Sequence, residues 1–331
     1  MSARVCSQAR REGMALLTVL LLVAVMSVIA VAVLDDVRFS VRRAANAETG
    51  SQARWYAAGA ELLARRQVAR LIESDPVRTP LDPQWNGRIL SFPVETGTLS
   101  AVVSDGQACF NLNSVVDGVG EDLIANPDGA ARLVALGKAV GVPEGRMRPV
   151  ADALVDWLDA DATTRPLGAE DGAYAGLAIP YRTGGVLLAE VSELRAVRGV
   201  DADLYRRLRP LVCALPTSRP STLNVNTLTA DHAPLLEMLG EGRISPAMAR
   251  AAILARPRDG WSDATAFWRQ SALSGVTPSS AAVEQVGVLT RFFNLRVDVD
   301  YGGIHAVRTA LLYARPSGEV VTVIQRWTLD E

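Results

Sequence analysis

Residues 1–40 read MSARVCSQARREGMALLTVLLLVAVMSVIAVAVLDDVRFS. A head carrying Arg4, Arg10 and Arg11 meets an uncharged run from Gly13 to Leu34, which stops against Asp35 and Asp36. At about 1.5 Å per residue a helix of that length crosses a hydrocarbon core of about 30 Å. A removed secretory signal has a shorter apolar stretch, about 7–15 residues, and ends in small residues at its cut. Residues 35–75 hold no Pro and are rich in Ala, Leu, Arg, Glu and Gln, good helix formers. These features predict one helix from the membrane to about Ser74, ended at Pro76. The arginines before the apolar run place the N-terminus in the cytoplasm and the body across the membrane.

The 331 residues suffice for one large or two medium domains beyond the anchor, and a net charge of −2 gives no bulk attraction to nucleic acid or anionic lipid. RILSFPVETGTLSAVVSD (88–105) predicts two strands around a turn at Glu95-Thr96-Gly97. FFNLRVDVDYGGIHAVRTALLYARPSGEVVTVIQRW (292–327) predicts three more, separated by Gly302-Gly303 and Pro316-Ser317-Gly318. Between these flanks, DGAARLVALGKAV (128–140), RPVADALVDWLDA (148–160), VSELRAVRGV (191–200), ADLYRRLRPLV (202–212) and SPAMARAAILA (245–255) carry apolar residues at helical spacing. The element Asn111-Leu112-Asn113-Ser114 returns as Asn224-Val225-Asn226-Thr227, each copy preceding helices. Its side chains suit helix caps, and the echo suggests two related modules. The expected fold class is α+β: a long N-terminal helix packed on an antiparallel sheet assembled from both flanks, with a large all-helical insertion between strands.

Arg10-Arg11-Glu12-Gly13-Met14-Ala15-Leu16-Leu17-Thr18-Val19 resembles the processing site of type IV pilins and pseudopilins. The resemblance implies a cut between Gly13 and Met14 by prepilin peptidase, then N-methylation of Met14. In that family the fifth mature residue is Glu, whereas this chain has Thr18. The blocks CFNLNS (109–114), DALVDWLDAD (152–161), GAEDGAYAGL (168–177), PYR (180–182), VSELRAVRGV, LRPLVCALP (208–216) and LNVNT (223–227) resemble, in order, the K-type minor pseudopilins of type II secretion. The similarity covers essentially the whole chain, and a missing carboxylate at position 18 fits that class.

What the resemblance implies is a pilin-like fold with a SAM/helix-hairpin-helix-like insertion. It divides the chain into a leader (1–13), a membrane span (14–34), a helix with first strands (35–110), an all-helical insertion (111–290, modules near 111–215 and 222–290) and a β-meander (291–331). It also implies a single-pass inner-membrane protein with a periplasmic body at the tip of the pseudopilus. There it would prime assembly and limit the filament, with the I, J and H types of minor pseudopilin, the major pseudopilin and the inner-membrane secretion platform as partners. A single-pass periplasmic scaffold is the alternative.

Enzyme chemistry finds no support in the residues. His232 and His305 stand apart from Cys and Glu at ligand spacing, no C-x-x-C pair exists, and neither a G-x-S-x-G elbow nor a Walker motif occurs. LRAVRGV followed by ADLYRRLRPL resembles a DNA-binding helix-hairpin-helix, but the acidic balance and the topology argue against nucleic acid. Cleavage would remove Cys6, leaving Cys109 and Cys213 either as two buried thiols or as a bridge closing about 100 residues, worth up to ~4.7 kcal/mol in the loop-entropy account.

Asp156, Asp159 and Asp161 gather towards a helix end, where carboxylates oppose the macrodipole. The connection that follows (162–185) carries Glu170, Asp171, five Gly and two Pro, a length uncommon unless something ties it down. The residues leave open a solvated acidic face or a hard-cation site built of oxygen donors. The family resemblance implies Ca²⁺ in this insertion, with Asp159, Asp161, Glu170 and Asp171 as ligand candidates and Asp156 behind them.

Overall fold

The computed structural model describes residues 5–81, 84–120 and 122–328, with side chains from Met14 to Trp327. Residues 1–4 of the expected leader lie outside the described residues. Helix α1 (Val5–Ser74) runs unbroken through the expected processing site, the apolar run and the stretch beyond it. Among the described residues it is the one helix long and apolar enough to cross a membrane, with a mean hydropathy of 3.0 in its most apolar window. The hydroxyl of Thr18 donates to the carbonyls of Ala15 (2.8 Å) and Met14 (3.2 Å), so this polar side chain is satisfied by its own helix.

The sheet has five antiparallel strands: β1 (Arg88–Val94), β2 (Gly97–Asp105), β3 (Phe292–Tyr301), β4 (Ile304–Ala314) and β5 (Val320–Thr328). They pair in the order β1-β2-β3-β4-β5, a meander interrupted between β2 and β3 by the helical insertion. Gly302 and Gly303 both have positive φ (56° and 82°), which the tight β3–β4 turn requires. Strand β3 alternates as LRVDVDY promised: Phe293, Leu295, Val297 and Val299 are buried, and Asn294, Arg296 and Asp300 are exposed.

Against that row lies a stripe of small residues on α1. Ala53, Ala57, Ala60 and Ala64, then Val68, Leu71 and Ile72, form one core with the sheet residues. Spacings of three and four place them on one helix face, and alanine lets helix and sheet approach closely. One carboxylate interrupts the apolar contact. Glu61 pairs with Arg308 of β4 (2.6 Å) and accepts from the Thr322 hydroxyl of β5 (2.6 Å), with both charged side chains about nine-tenths buried. Arg308 stacks over Trp327, 4.8 Å from the ring centre.

The insertion has its own core, built from α2 (Pro127–Ala139), α3 (Glu144–Leu158), α4 (Asp171–Ala175), α5 (Ala202–Leu208), α6 (Ala233–Leu239), α7 (Pro246–Leu254), α8 (Ala264–Trp268) and α9 (Ser280–Glu284). VSELRAVRGV departs from the helix expected there: Val191–Ala196 is a 3₁₀ turn started by a Glu190/Glu193 capping box, and Gly199 at φ 86° ends the run. The repeated Asn elements are buried brackets more than helix caps. Asn113 Nδ2 donates to Leu188 O and Leu215 O, and its Oδ1 accepts from Leu188 N. Asn226 holds Trp261 in the same two-sided way. Each element opens a two-residue parallel ladder, Phe110–Asn111 with Val212–Cys213 and Leu223–Asn224 with Val286–Gly287. Beside the first, Cys109 and Cys213 form a disulfide, 5.7 Å between Cα atoms.

Side chains fix the insertion to the sheet. Asp105 at the end of β2 accepts from the hydroxyls of Thr227 (2.6 Å) and Thr290 (2.8 Å), and Gln107 donates to Thr222 O and Leu289 O while accepting from Arg291 N. Arg326 of β5 pairs with Glu190 and donates to Ala189 O (3.0 Å).

Removing one partner of a buried pair leaves the other charge uncompensated, so Glu61→Ala should destabilise the body by roughly 3–5 kcal/mol in urea denaturation. The double variant Glu61→Leu with Arg308→Met should recover most of that loss, because it removes both charges together.

Candidate metal centre

Helix α3 buries Met147, Val150, Leu154, Trp157 and Leu158 on its inner side and ends where Asp159 turns extended (φ −71°, ψ 164°). The turn keeps the Asp159 carboxylate inside, at 4% exposure. The chain then loops outward and returns at Glu170, which precedes α4. This return brings carboxylate oxygens of Asp159, Asp161 and Glu170 within 4.8 Å of one another.

The other two expected ligands are occupied elsewhere. Asp156 is almost fully buried, and its oxygens accept from the Arg165 amide at 3.2 and 3.3 Å. Gly168 passes so close over this carboxylate that a Cβ there would sit 2.0 Å from Asp156 Oδ2, so no larger residue fits without displacement. Asp171 accepts from the amide (2.9 Å) and hydroxyl (3.0 Å) of Thr183, pinning the far end of the connection. These hydrogen bonds hold the Asp171 carboxyl below its ordinary range.

Electrostatics single out Asp159. Burial, followed by the charges of Asp161, Asp156 and Glu170, pushes its carboxyl up to about 7. Burial also raises Glu170 and Asp156. Asp159 Oδ1 and Glu170 Oε1 are buried and have no hydrogen-bond partner among the described residues. Two orphaned carboxylate oxygens beside a third, all hard donors, suit a hard cation. The donor set therefore fits calcium, with Asp159, Asp161 and Glu170 the residues that would hold it; the cation would neutralise their mutual repulsion.

Aromatic contacts tie down the rest of the connection, a feature the sequence reading missed. Trp157, Tyr174 and Tyr181 form a cluster with ring centres 5.2–5.9 Å apart. The Tyr181 hydroxyl donates to Ala196 O (2.9 Å), and the Tyr174 hydroxyl accepts from Arg198 N (3.1 Å). Gly184 and Gly185 amides both donate to Trp157 O. The signal was present in Tyr174 and Tyr181, the two aromatics of a Gly-rich connection, but nothing in their spacing says that they meet Trp157.

The amides that a DNA-binding hairpin would turn to phosphate are spent internally. Arg198 N goes to Tyr174, Val200 N to Val197 O and Leu204 N to Asp201 Oδ1. Arg207 pairs with Asp203, and Arg146 with Asp201. His232 accepts from Thr229 N in a capping box, and His305 contacts Asp300 at 2.8 Å.

Two profiles described as Type II secretion system (T2SS), protein K match residues 108–217 and 223–288. The type II secretion system protein K of Pectobacterium carotovorum subsp. carotovorum is 36% identical over 96% of this chain and 97% of the relative. That of Klebsiella pneumoniae is 36% identical over 97% and 99%. A chain in the crystal structure of the GspK-GspI-GspJ complex from the enterotoxigenic Escherichia coli type 2 secretion system superposes with a TM-score of 0.76, at 30% identity, covering 87% of this chain and all of that one. With its long helix, five-stranded sheet and helical insertion, the chain belongs to the protein K family of type II secretion, the minor pseudopilins.

Proposed function

We propose that this minor pseudopilin stands at the tip of the pseudopilus, where it primes assembly and stops growth beyond itself. The observation that carries this reading is the place of the insertion. It interrupts the meander between β2 and β3 and is fixed to the sheet by Asp105, Gln107 and Arg326. A rigid module of that size beside the sheet would clash with a subunit stacked above it, so polymer adds only below. The subunit has no enzymatic step in this scheme. It acts by shape and by the contacts of α1, in the export of folded proteins.

The exposed apolar part of α1 is the anchor, in the inner membrane, with the head in the cytoplasm and the body in the periplasm. The Cys109–Cys213 bridge agrees with a body in an oxidising compartment. Partners of the I and J types follow from the relative whose complex is known, and the H type, the major pseudopilin, the secretion platform and prepilin peptidase complete the set. Peptidase cuts between Gly13 and Met14, and Met14 becomes N-methylated.

Calcium completes the insertion at Asp159, Asp161 and Glu170. Without a cation, the folded Asp159 binds a proton up to about pH 7, against an ordinary value of 3.8. The folded state then holds more protons than the unfolded one across that window, so stability falls as pH rises through it. Melting temperature in EDTA should therefore drop between pH 5 and pH 8. Calcium at about 100 times its Kd should return about 2.7 kcal/mol at pH 8, and Asp159→Asn should abolish both effects. Equal melting in EDTA and calcium at pH 8 would remove the site.

The processing reading is tested by intact mass of the chain extracted from membranes. The expected mass lacks residues 1–13 and carries one added methyl; a retained leader contradicts it.

A further inference from the structure

The sheet has a second face, turned away from α1. Along β3 and β4, Leu295, Val297 and Arg308 point to the helix side, so the residues between them point the other way. On that far face the register sets Val102 of β2, Arg296 of β3, Thr309 of β4 and Arg326 of β5 side by side. The next row is Ser104, Asn294, Leu311 and Ile324. The insertion stands over both rows. Tyr205 of α5, Arg209 just after it, and residues 189–192 and 212–215 form the opposite wall of a cleft of about 490 Å³. That volume is within the range of ligand pockets. Four strands make its floor about 14 Å wide, which matches roughly four residues of extended chain.

The cleft is basic and polar over an apolar base. Arg326 joins the two walls through Glu190 and Ala189 O, and Arg296 holds Asp298 by two bonds of 2.8 and 2.9 Å. The guanidiniums of Arg209, Arg296 and Arg326 thus meet the carboxylates of Glu190 and Asp298, which leaves one positive charge over. The nearest neighbours do not change that balance. Arg195 lies over the Tyr205 ring, and Glu193 caps the turn behind it. On the floor, the side chains of Ser104, Asn294 and Thr309 make no hydrogen bond among the described residues, so their hydroxyls and amide are left to solvent or a ligand. Val102, Leu311 and Ile324 add apolar surface between them.

We propose that this cleft binds an acidic peptide segment in extended form, lying across β2 to β5. Arginine suits a carboxylate because its planar fork offers several donors at once. An extended backbone needs donors and acceptors in turn, which one amide and two hydroxyls supply. Charge complementarity sets the sign of the occupant, and the apolar residues receive its alternate side chains. Because the cleft is on the face away from α1, it stays open whatever packs along that helix. The site therefore stands independently of where the subunit sits in a filament.

The test selects phage-displayed random hexapeptides on the full chain in detergent. Selected sequences should be enriched in Asp and Glu and depleted in Lys and Arg relative to the starting library. A labelled synthetic copy of the strongest should bind in fluorescence anisotropy, and its affinity should fall as ionic strength rises from about 0.01 M to about 1 M. Arg209→Gln and Arg296→Gln should each weaken binding about tenfold. Thr309→Trp, which fills the floor, should abolish it. Arg258→Gln, at an exposed site on the second module, should leave it unchanged. Melting temperatures check that each variant is folded, and exposed Arg209 keeps the test decisive if Thr309→Trp fails to fold. No selected peptide, selection without acidic enrichment, full binding by Arg209→Gln and Arg296→Gln, or an equal loss with Arg258→Gln would each overturn the proposal.

Discussion

The contact between α1 and the sheet is the constraint on which the rest depends. One helix has to serve as membrane anchor at one end and as half of a soluble core at the other. The apolar run meets the first need through length and lack of charge. The stripe Ala53, Ala57, Ala60 and Ala64 meets the second by letting Phe293, Leu295, Val297 and Val299 approach closely. Small residues make a smooth surface with little to fix its register. Glu61, paired with Arg308 and Thr322, adds the directional contact that sets which part of the helix lies over which strand. Such a buried pair contributes little net stability, and its best use is selection of one arrangement.

From that base the insertion is placed by polar side chains. Burying Asp105 costs solvation energy, offset by two hydroxyl donors that arrive from the second module and from the start of β3. Gln107 joins the same junction. The first module is held at its ends by the disulfide and a short parallel ladder, and laterally by Arg326. A module held at several points moves with the sheet as one body, which a role that depends on shape requires.

Much of the fold was legible in the residues because period and punctuation carry it. The alternation in LRVDVDY, the Gly302-Gly303 turn and the helix formers before Pro76 each specify local geometry. The apolar spacing of VSELRAVRGV alone reads as a helix, because spacing does not register the capping box and Gly199, which close a 3₁₀ turn. The Asn elements were legible as a repeat but not as brackets, since their partners, Leu188, Leu215 and Trp261, are distant in sequence. At the carboxylate cluster, proximity in sequence suggested five ligands and the structure brings three together. Asp156 and Asp171 are diverted by amides of the same connection, and no spacing rule distinguishes a carboxylate that accepts from its own loop from one left open. Glu61 and Arg308 carry no sequence signal, being one charge each on otherwise ordinary elements.

The central claim is that the insertion makes this subunit terminal. It is tested most directly by imaging pseudopili sheared from cells that carry an epitope after Leu254, an exposed position on the insertion. Gold label at one end of each filament is the predicted result. Label distributed along the filament would contradict the account, because a subunit with this insertion would then be stacking within the polymer.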